Sequence, residues 1–205
     1  MMLSDEQIIE GCKKCNKKAQ KNLYNKYALP LLYICLRYTH SRSEAEDILQ
    51  EGFIKIFSNI RQYSEKGSFE GWLKRIMINT AITNYKQNKK EHCHKNIDEI
   101  NETHIINNEN YEDNEIDIDA TNIKTTISNA NFLKDDILII INQLPDRYRI
   151  VFNLFVMENY SYKEIADILK INTNTLKSQL LRARKIIQKK LYELALKKQK
   201  NNIIK

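Results

Sequence analysis

The chain has 205 residues and a formal net charge of +7, from 33 basic and 26 acidic side chains. Four Gly and two Pro are too few for a fold of many strands and turns, so an all-α chain is expected. No apolar run is long enough to cross a bilayer, and residues 1–11, MMLSDEQIIEG, lack the apolar core of a signal peptide; both point to a cytoplasmic protein with no membrane insertion of its own.

The charge falls in blocks. Residues 1–90 hold 16 basic and 9 acidic side chains, residues 91–142 hold 3 and 12, and residues 143–205 hold 14 and 5. Two basic blocks around an acidic one suggest two polyanion-binding modules on a linker.

Ser4 and Gln7 stand at capping-box spacing and predict a helix from there to about residue 20. A second helix, over about 21–39, turns Leu23, Tyr27, Leu31, Ile34 and Leu36 or Tyr38 inward. Pro30 inside it predicts a kink or a local break. Ser41 with Glu44, and Ser43 with Glu46, offer overlapping starts for a third helix that runs to about residue 60. There Ile48, Phe53, Ile56, Phe57 and Ile60 pack, while Glu46, Asp47, Gln50 and Glu51 make a polar ridge. A loop covers 61–67. Ser68 caps a fourth helix to about residue 88, with Phe69, Trp72, Leu73, Ile76 and Ala81 or Thr80 on its apolar face and Lys74, Arg75 and Lys86 on a basic side. The spacing of Trp72 with Phe69 and Ile76 favours core packing over a stacking role.

From 91 to about 131 the periodicity is lost, and the acidic, Asn-rich composition is that of a flexible linker. Helical spacing returns with Phe132, Leu133, Ile137, Ile140, Ile141 and Leu144, and Pro145 fits the start of a further helix carrying Val151, Leu154 and Phe155. Residues 161–184, SYKEIADILKINTNTLKSQLLRAR, read as two short helices joined by a tight turn. Ser161 and Glu164 have capping-box spacing, and Asn172 or Thr173 caps the second helix. Leu176, Leu180, Ala183, Ile187 and Leu191 face the core, which leaves Asn174, Lys177, Ser178, Leu181 and Arg182 on the other face. Such side chains reach phosphates, base edges and thymine methyls. The expected architecture is therefore all-α, with two small helical domains joined by a flexible acidic linker, the C-terminal one a helix-turn-helix.

Cys12 and Cys15 form a lone CxxC in a Lys-rich segment, and Cys93 sits between His92 and His94. A zinc site could in principle combine the two groups, but each is short and they lie far apart in sequence, so no metal and no cofactor is assigned. Cys35 reads as a core residue.

Three motifs carry a resemblance. EDILQEGFIKIF at 46–57, FEGWLKRIMINTA at 69–81, and LPDRYRIVF with YSYKEIADIL and TLKSQLLRAR further on resemble bacterial RNA polymerase sigma factors of the sigma-70 family. The closest type is the small extracytoplasmic-function (ECF) sigma factor, and order and spacing agree over nearly the whole chain. The resemblance implies a region 2-like domain over 1–90, a linker over 91–131 and a region 4-like domain over 132–205. It implies a non-enzymatic factor that binds core RNA polymerase through the beta-prime and beta subunits, melts the −10 promoter element with the first domain and reads the −35 element with the second. It also implies an anti-sigma partner.

By the same resemblance, Asp47, Gln50, Glu51, Phe53 and Ile54 dock on a polymerase coiled coil; a polar ridge beside apolar residues suits such an interface. Tyr63, Ser64, Glu65 and Lys66 correspond to the loop that captures a flipped base, where stacking and edge contacts offset the cost of extrusion. Lys74, Arg75, Asn79 and Lys86 line the strand path. Arg149, Thr173, Asn174, Thr175, Lys177, Ser178, Leu181 and Arg182 fall where the family contacts the −35 element, and Arg184 touches a phosphate or serves the fold. Thr83 stands where the family often has Asp, Lys86 where Arg is usual and Asn174 where Gly is common.

Two readings of other classes are open to the same sequence. A conventional repressor or activator would use the helix-turn-helix alone, as a dimer on duplex DNA; it would leave the ridge and loop of the first domain without a task. A metal-dependent nuclease would need Asp113, Glu115, Asp117 and Asp119 as ligands, in a stretch with no expected structure to preform a site.

Overall fold

Side-chain caps decide where the helices of the amino-terminal half begin. In the computed structural model, which describes residues 3–95 and 120–203, Ser4 and Gln7 form a reciprocal capping box at the start of α1 (Asp5–Lys13). The predicted single helix to residue 20 is in fact two. Cys15 takes a left-handed φ of 56°, and the Asn16 side chain accepts from the amides of Lys18 and Ala19 to start α2 (Lys17–Leu36). The tight α1–α2 crossing needs Gly11, where a Cβ would lie 2.4 Å from that of Ala19.

α2 runs through Pro30 without the predicted break. Pro30 and Lys26, the residue four before it, are both exposed. The carbonyl that Pro30 leaves without a donor therefore lies on the solvent side, where losing the helical bond costs less than it would in the core. Ser41, rather than Ser43, caps α3 (Arg42–Asn59), which passes through a 3-10 turn at Ile60–Gln62 into the loop before α4 (Phe69–Lys95). Ser68 accepts from the Gly71 amide as the expected cap of α4.

α1 to α4 enclose one apolar core. Ile8, Leu23, Leu31, Ile48, Ile56, Leu73 and Met77 are fully buried in it. Burying such side chains is worth about 1.5–3 kcal/mol each, before the entropy of ordering the chain is set against it.

The second group begins earlier than composition predicts. Ala120–Asn129, inside the segment expected to be a structureless linker, forms α5 and packs on the last helix. Its Ile123 and Ile127 are half-buried at helical spacing, so a neighbouring surface stabilises what the polar composition alone would not. Residues 96–119 of the expected linker lie outside the described residues, Asp113, Glu115, Asp117 and Asp119 among them, as do the side chains of His92, Cys93 and His94.

α6 (Lys134–Asn142), α7 (Asp146–Phe152), α8 (Tyr162–Leu169) and α9 (Thr173–Ile203) follow. Between α7 and α8 the chain makes one π turn, Asn153–Met157. Among the described residues there is no strand, and no helix is long and apolar enough to cross a membrane.

Candidate polymerase and nucleic-acid interfaces

The helix-turn-helix is held by local bonds. Ser161 and Glu164 cap α8 reciprocally, and bonds from Ser161 hold the Glu164 carboxyl below its ordinary range. α8 stops at Lys170, which adopts the left-handed conformation at φ 56°. Two residues later the Asn172 side chain accepts from the Asn174 amide at 2.8 Å. α9 then turns Leu176, Leu180 and Ala183 inward, all buried.

The opposite face is open. Thr173, Asn174, Thr175, Lys177, Ser178, Leu181, Arg182 and Arg184 are all exposed, Leu181 to 59%. Cations on this face rest on rings: Lys177 lies 5.9 Å from the Tyr162 ring centre and Arg184 lies 5.6 Å from that of Phe155. Arg182 donates to the Tyr148 hydroxyl at 3.4 Å. The face thus offers hydroxyls, an amide, guanidinium and ammonium groups and one apolar tip.

Arg149 is the exception. It is 1% exposed and lies apart from that face. Its guanidinium donates to the carbonyls of Thr39 and Tyr38, at 3.3 and 3.4 Å, and to the Asp146 carboxylate at 2.6 Å. Burial pushes the guanidinium below its ordinary range, with Asp146 pulling the other way.

On the first domain the polar ridge is exposed as expected at Asp47, Gln50 and Glu51, with Ile54 beside it at 66% exposure. Glu51 pairs with Lys55 at 2.6 Å. Phe53 does not belong to the ridge: it is 3% exposed, packed against Tyr24 and Phe57. The correction follows from helical phase, because position 53 aligns with the core residues Leu49, Ile56 and Ile60, whereas 54 aligns with 47, 50 and 51. Two exposed apolar residues on α2, Leu29 and Tyr33, were not predicted. Their signal was present in their i, i+4 spacing, one residue out of phase with the buried face.

Ser64, Glu65 and Lys66 are exposed at the tip of the loop between α3 and α4. Glu65 has φ 60° and pairs with Lys13 at 3.6 Å. Tyr63 is half-buried: its hydroxyl donates to the Gly67 carbonyl at 2.6 Å, and its ring lies 5.2 and 5.5 Å from those of Phe69 and Trp72. Trp72 stacks on Phe69 and is half-buried, so the predicted core role is only partly met. Arg75 and Asn79 are exposed on α4 and Lys74, half-buried, pairs with Glu70. Lys86 reaches across to the Ile168 carbonyl at 2.7 Å.

Comparison with known proteins gives the same order of parts. Residues 23–91 match the family model described as Sigma-70 region 2, and residues 134–187 match that described as Sigma-70, region 4. The chain is 30% identical over 194 residues to the ECF RNA polymerase sigma-E factor of Haemophilus influenzae, covering 94% of this chain and 97% of the relative. It is 28% identical to the RNA polymerase sigma-H factor of Pseudomonas aeruginosa, covering 93% and 95%. A solved structure of the sigma factor RpoE from Bartonella quintana, in complex with the anti-sigma factor NepR, aligns with a TM-score of 0.47 at 20% identity, over 83% of this chain and 97% of that one.

Proposed function

This chain belongs to the sigma-70 family of promoter-directing transcription initiation factors, in its extracytoplasmic-function branch, and we propose that it acts as a non-enzymatic specificity subunit of core RNA polymerase through three surfaces. The ridge of Asp47, Gln50, Glu51 and Ile54 docks on the polymerase. The loop of Tyr63, Ser64, Glu65 and Lys66, with Lys74, Arg75, Asn79 and Lys86 of α4, takes the melted −10 strand. The exposed face of α9 from Thr173 to Arg184 enters the major groove at the −35 element.

The observation that carries this reading is the open face of α9. Eight of the nine residues assigned to −35 contact lie on it exposed, on a helix whose other side is core. Phosphate contacts from Lys177 and Arg184 fix the register, and Ser178, Leu181 and Arg182 read bases. Weak binding by each reader alone suffices, because one linker holds both at high effective concentration. The family also supports an anti-sigma partner as part of this reading, to be tested by co-purification from cells.

Run-off transcription from a genomic DNA pool, with purified core enzyme, tests the whole. Promoter-dependent products that require the protein are expected. A folded protein that yields none overturns the reading, and DNA cleavage in magnesium without polymerase would favour the nuclease instead.

A further inference from the structure

The CxxC at 12–15 takes no part in the three surfaces proposed above, yet the fold sets it against one of them. Cys12 lies in the last turn of α1, 3% exposed and packed in the core of the first group. Cys15 follows the C-cap of that helix and is exposed. The Cys15 amide donates to the Cys12 carbonyl at 2.9 Å. A turn closed in this way keeps its end Cα atoms within about 7 Å, and a disulfide spans Cα atoms about 4.4–6.8 Å apart. One buried thiol and one exposed thiol thus stand at bridging range.

Their surroundings differ. Lys13, Lys14, Lys17 and Lys18 lie within three residues of Cys15, and the Arg61 guanidinium donates to its sulfur at 3.9 Å. Reactive thiols are exposed ones with cations beside them. Burial, with Cys15 adding to it, pushes the Cys12 thiol up to about 11, so Cys12 stays protonated until its neighbour has reacted. The same turn anchors the loop that leads to α4. Arg61 also donates from Nε to the Lys13 carbonyl at 3.2 Å, and the Lys13 ammonium pairs with Glu65 at 3.6 Å. The end of α1 therefore holds this loop at its start and at its tip.

From this juxtaposition we propose that Cys12 and Cys15 are a dithiol that a peroxide oxidises to a disulfide, and that the bridge releases the 61–66 loop from the end of α1. Only its effect on transcription rests on the function proposed above. The Cys15 sulfur attacks the O–O bond and becomes a sulfenic acid, and the peroxide leaves as an alcohol, or as water from hydrogen peroxide. The Cys12 sulfur then displaces the hydroxyl from Cys15, which departs as water with the Cys12 proton. The pair loses two electrons and the peroxide gains them. Bridging turns the Cys15 sulfur from Arg61 toward Cys12, and Lys13, between the two cysteines, moves with the turn. A dithiol reductant reverses the step.

The test treats the full chain with hydrogen peroxide and removes the excess with catalase. The mass should fall by two hydrogens. Trypsin cuts after Lys13 and Lys14, so it separates the cysteines of the reduced chain and should leave those of the oxidised chain joined. Trp72, the one tryptophan of the chain, lies 5.5 Å from the Tyr63 ring. Its emission should shift to the red as the loop moves, and dithiothreitol should reverse the shift. Cys15→Ser, at an exposed position outside the proposed surfaces, should show neither bridge nor shift. Mixed with core polymerase, the oxidised parent should give severalfold less run-off product than the reduced parent or the treated Cys15→Ser chain.

No bond between Cys12 and Cys15, or a bond from either to Cys35 or Cys93, overturns the dithiol. A bridged chain with unchanged Trp72 emission overturns the release of the loop. A shifted emission with undiminished run-off product overturns the effect at the promoter. If Cys15→Ser does not fold, judged by circular dichroism, the parent alone decides: a shift that dithiothreitol does not reverse overturns the proposal. A reduced parent that yields no run-off product counts against the proposed function alone, because the bridge and the emission are read without polymerase or promoter.

Discussion

Phe53 and Ile54 are neighbours in the chain and face opposite sides of α3. Phe53 is 3% exposed and packs on Tyr24 and Phe57, while Ile54 is 66% exposed beside the acidic ridge. The proposed docking ridge and the core are therefore separable one residue apart. Ile54→Asp should leave the unfolding free energy within about 0.5 kcal/mol of the parent and sharply weaken core polymerase binding. Phe53→Ala should cost about 3–5 kcal/mol of stability by opening a cavity. Urea unfolding and polymerase pull-down with both variants check this, and a stable Phe53→Ala chain that fails to bind would reverse the assignment.

A substitution at Arg182 tests whether the proposed −35 face reads bases or holds phosphates there. Arg182 is exposed on α9 and donates to the Tyr148 hydroxyl. Arg182→Ala should cost about 1–3 kcal/mol on the −35 sequence if it contacts a base edge in bidentate fashion. The measurement is holoenzyme affinity for a selected promoter and for the same promoter with a scrambled −35 element. Equal losses on both would mark Arg182 as a phosphate contact.

Asp136 makes the second domain acid-sensitive. Its carboxylate accepts from Lys198 at 2.6 Å and from the Leu133 amide at 2.9 Å, tying the start of α6 to α9. The Lys198 bond, then the amide bond, hold its carboxyl below the ordinary value. The folded state therefore binds a proton less readily than the unfolded chain. The stabilisation is fully present above the unfolded-state value of about 3.9 and is lost as pH falls through the lower, folded one. Urea unfolding from neutral pH to pH 3 should show a smaller acid loss in Asp136→Asn than in the parent. Identical acid profiles would remove Asp136 from the account.

Gly11 allows α1 and α2 to cross closely. Gly11→Ala would put a methyl 2.4 Å from the Ala19 Cβ. The helices must part, at a cost of about 1–3 kcal/mol. Thermal unfolding should show the loss, and Ala19→Gly in the same chain should recover part of it. No change in melting temperature would mean that the crossing is looser than drawn.

Much of this fold was legible because caps and periodicity agreed. Ser41, Ser68, Ser161 and Asn172 each start the helix that their spacing predicts, and the open face of α9 follows from its i, i+4 pattern. The failures share a cause. Asn16 is a cap amid lysines, whose long polar side chains hide the change of phase between α1 and α2. Ile123 and Ile127 of α5 sit among polar residues that dilute their signal, and their helix depends on a surface distant in sequence. The π turn at Asn153–Met157 leaves no mark in apolar spacing. The burial of Arg149 was hidden for a different reason: a lone arginine carries no sign that it will sit in the interior beside a carbonyl 110 residues away.

The acceptors that Arg149 and Asn153 use at the end of α2 are main-chain oxygens of Arg37, Tyr38 and Thr39. Every amino acid offers such an oxygen. On the α2 side these bonds by themselves make no demand on side-chain identity, so long as the chain path holds; burial constrains Tyr38 and Thr39, and the Glu158 pair constrains Arg37. On the other side, Arg149 and Asn153 have no such freedom. Point substitutions can therefore remove these particular bonds only from α7 and its π turn, at Arg149 and Asn153, and not from the first helices.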